Sequence, residues 1–149
     1  MPRFFKRLAE GVFDEEDLML RTKELGDFLN KAANDYGFER NNVVAIGYSN
    51  GANIAGNLLF QDPKALKGAA LFHPMVPRRG IDLPDLSGTP VFIGAGINDP
   101  ICKPGETKEL AGMLENAGAT VDIYWDNYGH QLTRQEIEKA KNWYVQTFE

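Results

Sequence analysis

The sequence predicts an α/β fold in which a parallel sheet carries helices on both faces. Three observations carry that expectation. Short apolar runs alternate along the chain with segments of helical period. The runs are apolar at successive positions, as in strands covered on both sides. Gly, Pro and Asp mark their boundaries. The 149 residues suit one domain spanning 1–149 with a core of its own, and no repeat, low-complexity segment or linker divides them.

Each element follows in order. Asp14-Glu15-Glu16-Asp17 opens a helix, because acidic side chains are favoured where the helix dipole is positive. Its apolar stripe is Leu18, Leu25, Phe28, Leu29, Ala32 and Tyr36, and Gly37 is the stop. Asn42 to Tyr48 reads as a buried strand. Asn50 to Phe60 is a helix of small residues, ended by Asp62-Pro63. Lys67 to Phe72 is the second strand, and the Pro-rich loop from His73 to Thr89 follows. Pro90 to Ala95 is the third strand. Pro104 to Ala117 is a helix with Gly118 just beyond it. Thr120 to Trp125 is the fourth strand. Thr133 to Phe148 is the last helix, with Ile137, Ala140, Tyr144 and Phe148 along one stripe.

Composition narrows the partners. The apolar and charged fractions, 43% and 25%, are those of an ordinary globular protein. The net charge of −5 and the absence of basic clusters longer than a pair argue against nucleic acid and anionic membranes. No apolar run is long enough to span a bilayer, and the opening residues lack the apolar stretch of a secretory signal. Cys102 is the one cysteine, so no internal disulfide forms and a reducing cytoplasm is the expected compartment. Two His and one Cys at unrelated spacings give no metal site, and no cofactor is expected.

The chemistry gathers at strand ends, where sites form in parallel sheets. Val43 to Gly56 reads VVAIGYSNGANIAG: an apolar strand meets Gly47-Tyr48-Ser49-Asn50-Gly51 and turns at once into a helix. A tight strand-to-helix turn lifts a serine hydroxyl above the sheet, and small flanking residues prevent clashes. The N–H of Asn50, at the helix start, then faces the place where an oxyanion would form. A serine nucleophile needs a base. The candidates are His130, between the fourth strand and the last helix, and His73, at the end of the second strand. The chain order nucleophile, acid, base selects His130, with Asp99, just past the third strand, as the acid between them. His73 reads instead as a pocket-wall or hydrogen-bonded loop residue. Asp126 is the second choice of acid and reads better as a solvated turn residue. Asp62, Asp82 and Asp85 are poorly placed. Cys102 reads as a small packing residue.

With those residues in place, the chain resembles a known group. Gly47-Tyr48-Ser49-Asn50-Gly51-Ala52-Asn53, then Gly96-Ile97-Asn98-Asp99-Pro100-Ile101-Cys102, then Gly129-His130-Gln131-Leu132 resemble the α/β-hydrolase superfamily. More narrowly, they are similar to the small cytosolic bacterial carboxylesterases of the phospholipase/carboxylesterase family, relatives of acyl-protein thioesterases. The loop His73-Pro74-Met75-Val76-Pro77 and the opening Met1-Pro2-Arg3-Phe4-Phe5 look like the same group. The resemblance covers essentially the whole chain. It implies Ser49 as nucleophile, Asp99 as acid and His130 as base, acting on small carboxylic esters through an acyl-serine. Thioesters and lysophospholipids are neighbouring substrates. It also implies Phe4, Phe5 and Met75 as walls of an apolar pocket.

The chain departs from that group in one respect. Its members carry an earlier strand ending in a His-Gly-Gly-type loop, which donates a second N–H to the oxyanion. Before Ser49 this chain has only the isolated Gly11, Gly26, Gly37 and Gly47. It is therefore expected to correspond to the C-terminal two-thirds of the fold. The strand before Ser49 would then have one open edge, which invites pairing with a second copy or a partner. The alternative to an esterase is a non-catalytic hydrolase-like module that binds a partner through that edge.

Overall fold

A computed structural model describes residues 4–9 and 12–149. Met1, Pro2 and Arg3 of the opening motif, and Gly11, lie outside the described residues. A short antiparallel pair, β1 (Arg7–Ala9) and β2 (Val12–Phe13), comes first. Then come α1 (Glu15–Tyr36), a single 3₁₀ turn (Arg40–Asn42), β3 (Val44–Tyr48), α2 (Asn50–Gln61), β4 (Gly68–Phe72), β5 (Pro90–Gly96), α3 (Pro104–Asn116), β6 (Thr120–Asp126) and α4 (Arg134–Phe148). The β1–β2 pair is an element the sequence reading did not anticipate. The first strand of the main sheet also starts later than expected, because Arg40–Asn42 coil before it.

The sheet order is β3-β4-β5-β6, all parallel. Alternation along the strands assigns its two faces. Ala69, Leu71, Val91, Ile93 and Ala95 share a core with Leu59 of α2 and Leu110 and Leu114 of α3. Ala70, Phe72 and Phe92 pack instead with Ala140 and Trp143 of α4. Helices therefore cover both faces, and β3 is the edge of the described sheet.

The caps follow the sequence logic. The Asp14 side chain accepts from the Asp17 N–H, and Gly37 closes α1 in the left-handed conformation at φ 72°. Thr133 and Glu136 form a capping box at the start of α4.

Two helical stripes differ from expectation. On α1, Leu18, Thr22, Ala32 and Ala33 are buried, while Phe28 and Tyr36 are 63% and 83% exposed. Phe28 flanks the stripe, and Tyr36 lies in the last turn, past the buried alanines. On α4 the buried residues are Glu136, Ala140 and Trp143. Ile137 and Tyr144 instead line an open apolar groove of about 530 Å³ with Val44, Ile46, Tyr48 and Phe72. That groove lies beside the β3 edge, where no element of the described residues covers the sheet.

Candidate active site

Ser49 stands where β3 becomes α2. The turn holds it at φ 55° and ψ −114°, a backbone that costs a non-glycine residue ~1–3 kcal/mol. Gly47 lets the turn close: a Cβ there would lie 2.5 Å from the backbone C and O of Gly51. The Ser49 N–H donates to the Phe72 carbonyl at 2.9 Å, and its own carbonyl accepts from the Asn53 N–H at 2.9 Å. Sheet and helix thus share this one residue, which is only half-buried.

Asp99 sits just past β5 and is 3% exposed. Its Oδ1 accepts the N–H groups of Ile101 at 2.8 Å and Cys102 at 2.9 Å. Its Oδ2 is 2.7 Å from His130 Nδ1 and 2.9 Å from His73 Nδ1. Burial pushes this carboxyl upward, but the Cys102 N–H, both imidazoles and the Ile101 N–H together hold it below the ordinary carboxylate value.

His130 lies in the turn between β6 and α4, with Nε2 3.0 Å from Ser49 Oγ. An ionised carboxylate only accepts, so the Nδ1 facing Asp99 carries the proton and Nε2 is left to accept the serine proton. Three further bonds hold this turn. The Tyr48 hydroxyl donates to the His130 carbonyl at 2.5 Å. The Gly129 N–H donates to Asn98 Oδ1 at 2.8 Å, and Asn98 Nδ2 donates to the Asn127 carbonyl at 3.0 Å. Asn98 thus fastens the Asp99 loop to the His130 loop, a role its neighbours in sequence do not reveal.

The other sequence candidates fall as follows. His73 is fully buried and hydrogen-bonded to Asp99 rather than lining an open pocket. Asp126 is not a solvated turn acid. It is 7% exposed, accepts from the Thr133 hydroxyl at 3.1 Å and lies 3.3 Å from the Tyr128 N–H, so it builds the turn beneath His130. Asn50 opens α2 directly after Ser49. Phe4 is exposed and close to the helix start, its ring 3.6 Å from where a Cβ on Gly51 would be. Phe5 is 2% exposed and packed with Phe13, Leu18 and Ile54, and with Phe4 it borders a surface cleft between the chain's opening residues and α1. The Met75 N–H donates to Asn53 Oδ1 at 2.7 Å, which pins the His73-to-Pro77 loop to α2. Cys102 packs in the interior and donates to the His73 carbonyl at 3.1 Å. Burial and the nearby Asp99 and Glu106 carboxylates push its thiol up to about 12, so it stays neutral.

His73, Asp99 and His130 present ligand-type atoms within 4.8 Å of one another. Their spacing is that of a hydrogen-bonded cluster, with protons on the nitrogens a metal would need. The arrangement suits proton transfer from the Ser49 hydroxyl to His130, with a carboxylate across the ring.

Comparison with known proteins agrees with this architecture. Residues 6–145 match the dienelactone hydrolase family. MhqD of Bacillus subtilis (strain 168), whose name calls it a hydrolase, is 59% identical over 144 residues, covering 97% of this chain and 72% of that protein. The crystal structure of the Bacillus cereus carboxylesterase superposes with a TM-score of 0.98 at 65% identity, over 99% of this chain and 70% of that one. Acyl-protein thioesterase 1 of Cryptococcus neoformans is 27% identical over 162 residues, covering 97% of this chain and 68% of that protein. Among the described residues, no helix is long and apolar enough to cross a membrane. With its parallel sheet, its sharp turn at Ser49 and this family match along nearly its whole length, the chain belongs to the dienelactone hydrolase family and has the α/β-hydrolase fold.

Proposed function

We propose that this hydrolase is a serine carboxylesterase that cleaves small carboxylic esters through an acyl-serine. The observation that supports it most is the continuous path from Ser49 Oγ to His130 Nε2 at 3.0 Å and from His130 Nδ1 to Asp99 Oδ2 at 2.7 Å. In this reading Ser49 Oγ attacks the ester carbonyl carbon while His130 Nε2 takes its proton. Asp99 keeps the ring in the required tautomer and stabilises the imidazolium. The oxyanion forms near the start of α2, where the Asn50 N–H and the helix dipole favour negative charge. Collapse expels the alkoxide, which takes the proton from His130. A water then repeats the sequence in reverse and frees the acid. Phe4 and Met75 are the apolar contacts for the acyl or alcohol part. Thioesters and lysophospholipids are the neighbouring substrate classes.

A second reading, a module that binds a partner through the β3 edge, is favoured by one observation: Ile46 on that strand is 74% exposed. Hydrolysis of p-nitrophenyl acetate by the purified chain and by Ser49→Ala separates the two. The esterase reading expects turnover to fall by on the order of 10³-fold or more in the variant. Equal rates in both proteins would remove Ser49 from the chemistry and leave the binding reading.

A further inference from the structure

The relay does not stop at Asp99. Behind it lies a second, wholly buried chain of polar groups. His73 and Glu136 are both 0% exposed. The His73 Nδ1 is 2.9 Å from Asp99 Oδ2, and its Nε2 is 2.7 Å from Glu136 Oε1. The second contact is an ion-pair contact between two buried groups.

Burial of this kind is costly unless each group has a partner, and the fold makes specific room for it. Gly94 of β5 has no side chain where a Cβ would lie 2.9 Å from the Phe72 ring and 3.1 Å from Glu136 Oε1. His73 itself is held at φ 53°, a left-handed backbone rare for a non-glycine residue, and its N–H donates to the Gly94 carbonyl at 2.7 Å. Ser49 and His73 are the non-glycine residues with positive φ among the described residues. They end adjacent strands, β3 and β4.

Asp99 Oδ2 accepts from both imidazoles, so both Nδ1 atoms carry protons. Oδ1 is already taken by two backbone N–H groups. Without His73, one lone pair of Oδ2 is unsatisfied and His130 is the one side chain left to set where that oxygen points. With His73 in place, it is held by four donors from three directions. We propose that His73 is a positioning residue: anchored against Glu136, it uses its Nδ1–H to aim the Asp99 carboxylate at His130. This rests on the triad reading above. The raised proton affinity of His73 is consistent with it. Desolvation opposes the charge, but the Glu136 and Asp99 carboxylates outweigh that and favour the imidazolium.

Two substitutions at position 73 separate aiming from filling. The Asn side chain of His73→Asn places an N–H donor near the position of Nδ1 but fills less space. His73→Phe fills the space and donates nothing. The full chain and both variants are compared in phosphonylation of Ser49 by a fluorophosphonate and in hydrolysis of p-nitrophenyl acetate. The low-field proton NMR line of the His130 Nδ1–H is followed in all three. Aiming expects Asn to stay within about fivefold of the parent. It expects Phe to lose about 10- to 100-fold in kcat with little change in KM, and the His130 line to persist in Asn and vanish in Phe. A Phe variant as fast as the parent, or faster than Asn, overturns the inference, as does an unchanged His130 line in Phe. If Phe does not fold because Glu136 is left unpartnered, the same pair is compared in a Glu136→Gln background, where no buried carboxylate is stranded and the capping box survives. The Ser49→Ala control keeps the two ideas apart. Ser49-independent turnover defeats the esterase reading, whereas Ser49-dependent labelling that ignores position 73 defeats only this inference.

Discussion

Asp99 accepts four hydrogen bonds, and that saturation gives the site a pH signature. The carboxyl is held below its ordinary value, so its contribution to stability is present above the unfolded carboxylate range and is lost as pH falls through the lowered folded value. His73 behaves oppositely. Its proton affinity is raised from 6.5, so its contribution is complete below that value and is lost as pH rises through the raised folded one. Urea unfolding of the parent is therefore expected to show stability declining as pH rises above the ordinary imidazole value of 6.5, and the His73→Asn variant should lack that part of the slope. Equal slopes would mean that the buried ring carries no charge. Ser49, Asp99 and His130 could be chosen from the sequence because few residues of those types stand at strand ends in the order nucleophile, acid, base. His73 and Glu136 could not be linked, since their contact depends on how β4, β5 and α4 register in space. The Glu at the third position of α4 reads as a cap whether or not its other oxygen is buried.

At the scale of elements, β3 is the exception. β4 is buried along its whole length and β5 at all but its first residue, yet β3 alternates between half-buried and exposed positions. One side of its backbone has no neighbour among the described residues, and Ile46 stands out from it between Val44 and Tyr48. Pairing of two such edges is the expected result. Sedimentation velocity should show concentration-dependent self-association in the parent and a shift toward monomer in Ile46→Lys, because a lysine on an edge strand opposes pairing. A monomeric parent at high concentration would count against this. Most elements were legible from period and punctuation, with ends that differ by a residue or two. The β1–β2 pair was not, because two and three residues carry no measurable period. The α4 stripe is divided: Ala140 is buried and Phe148 packs against the same cluster, while Ile137 and Tyr144 face a groove that nothing in the described chain fills.

Across the whole molecule, one end of a four-stranded sheet brings together Ser49, His73, Asp99 and His130, and the two helical layers hold that end from opposite sides. α2 supplies the turn at Ser49, while α4, on the other face, supplies Glu136. The layered architecture was readable because strands apolar on both faces demand two covers. The tie between the layers was not, because it runs through one side chain with two jobs. One oxygen of Glu136 accepts the Thr133 N–H that starts α4 at 3.0 Å, and the other lies against His73. Thermodynamic coupling is reciprocal, so a group that steadies the serine should also steady the C-terminal helix, on the far side of the sheet. Amide hydrogen exchange in the first turns of α4 is expected to slow when Ser49 carries a phosphonate, and Glu136→Gln should weaken that response. The last helix would then report the occupancy of a site it does not touch.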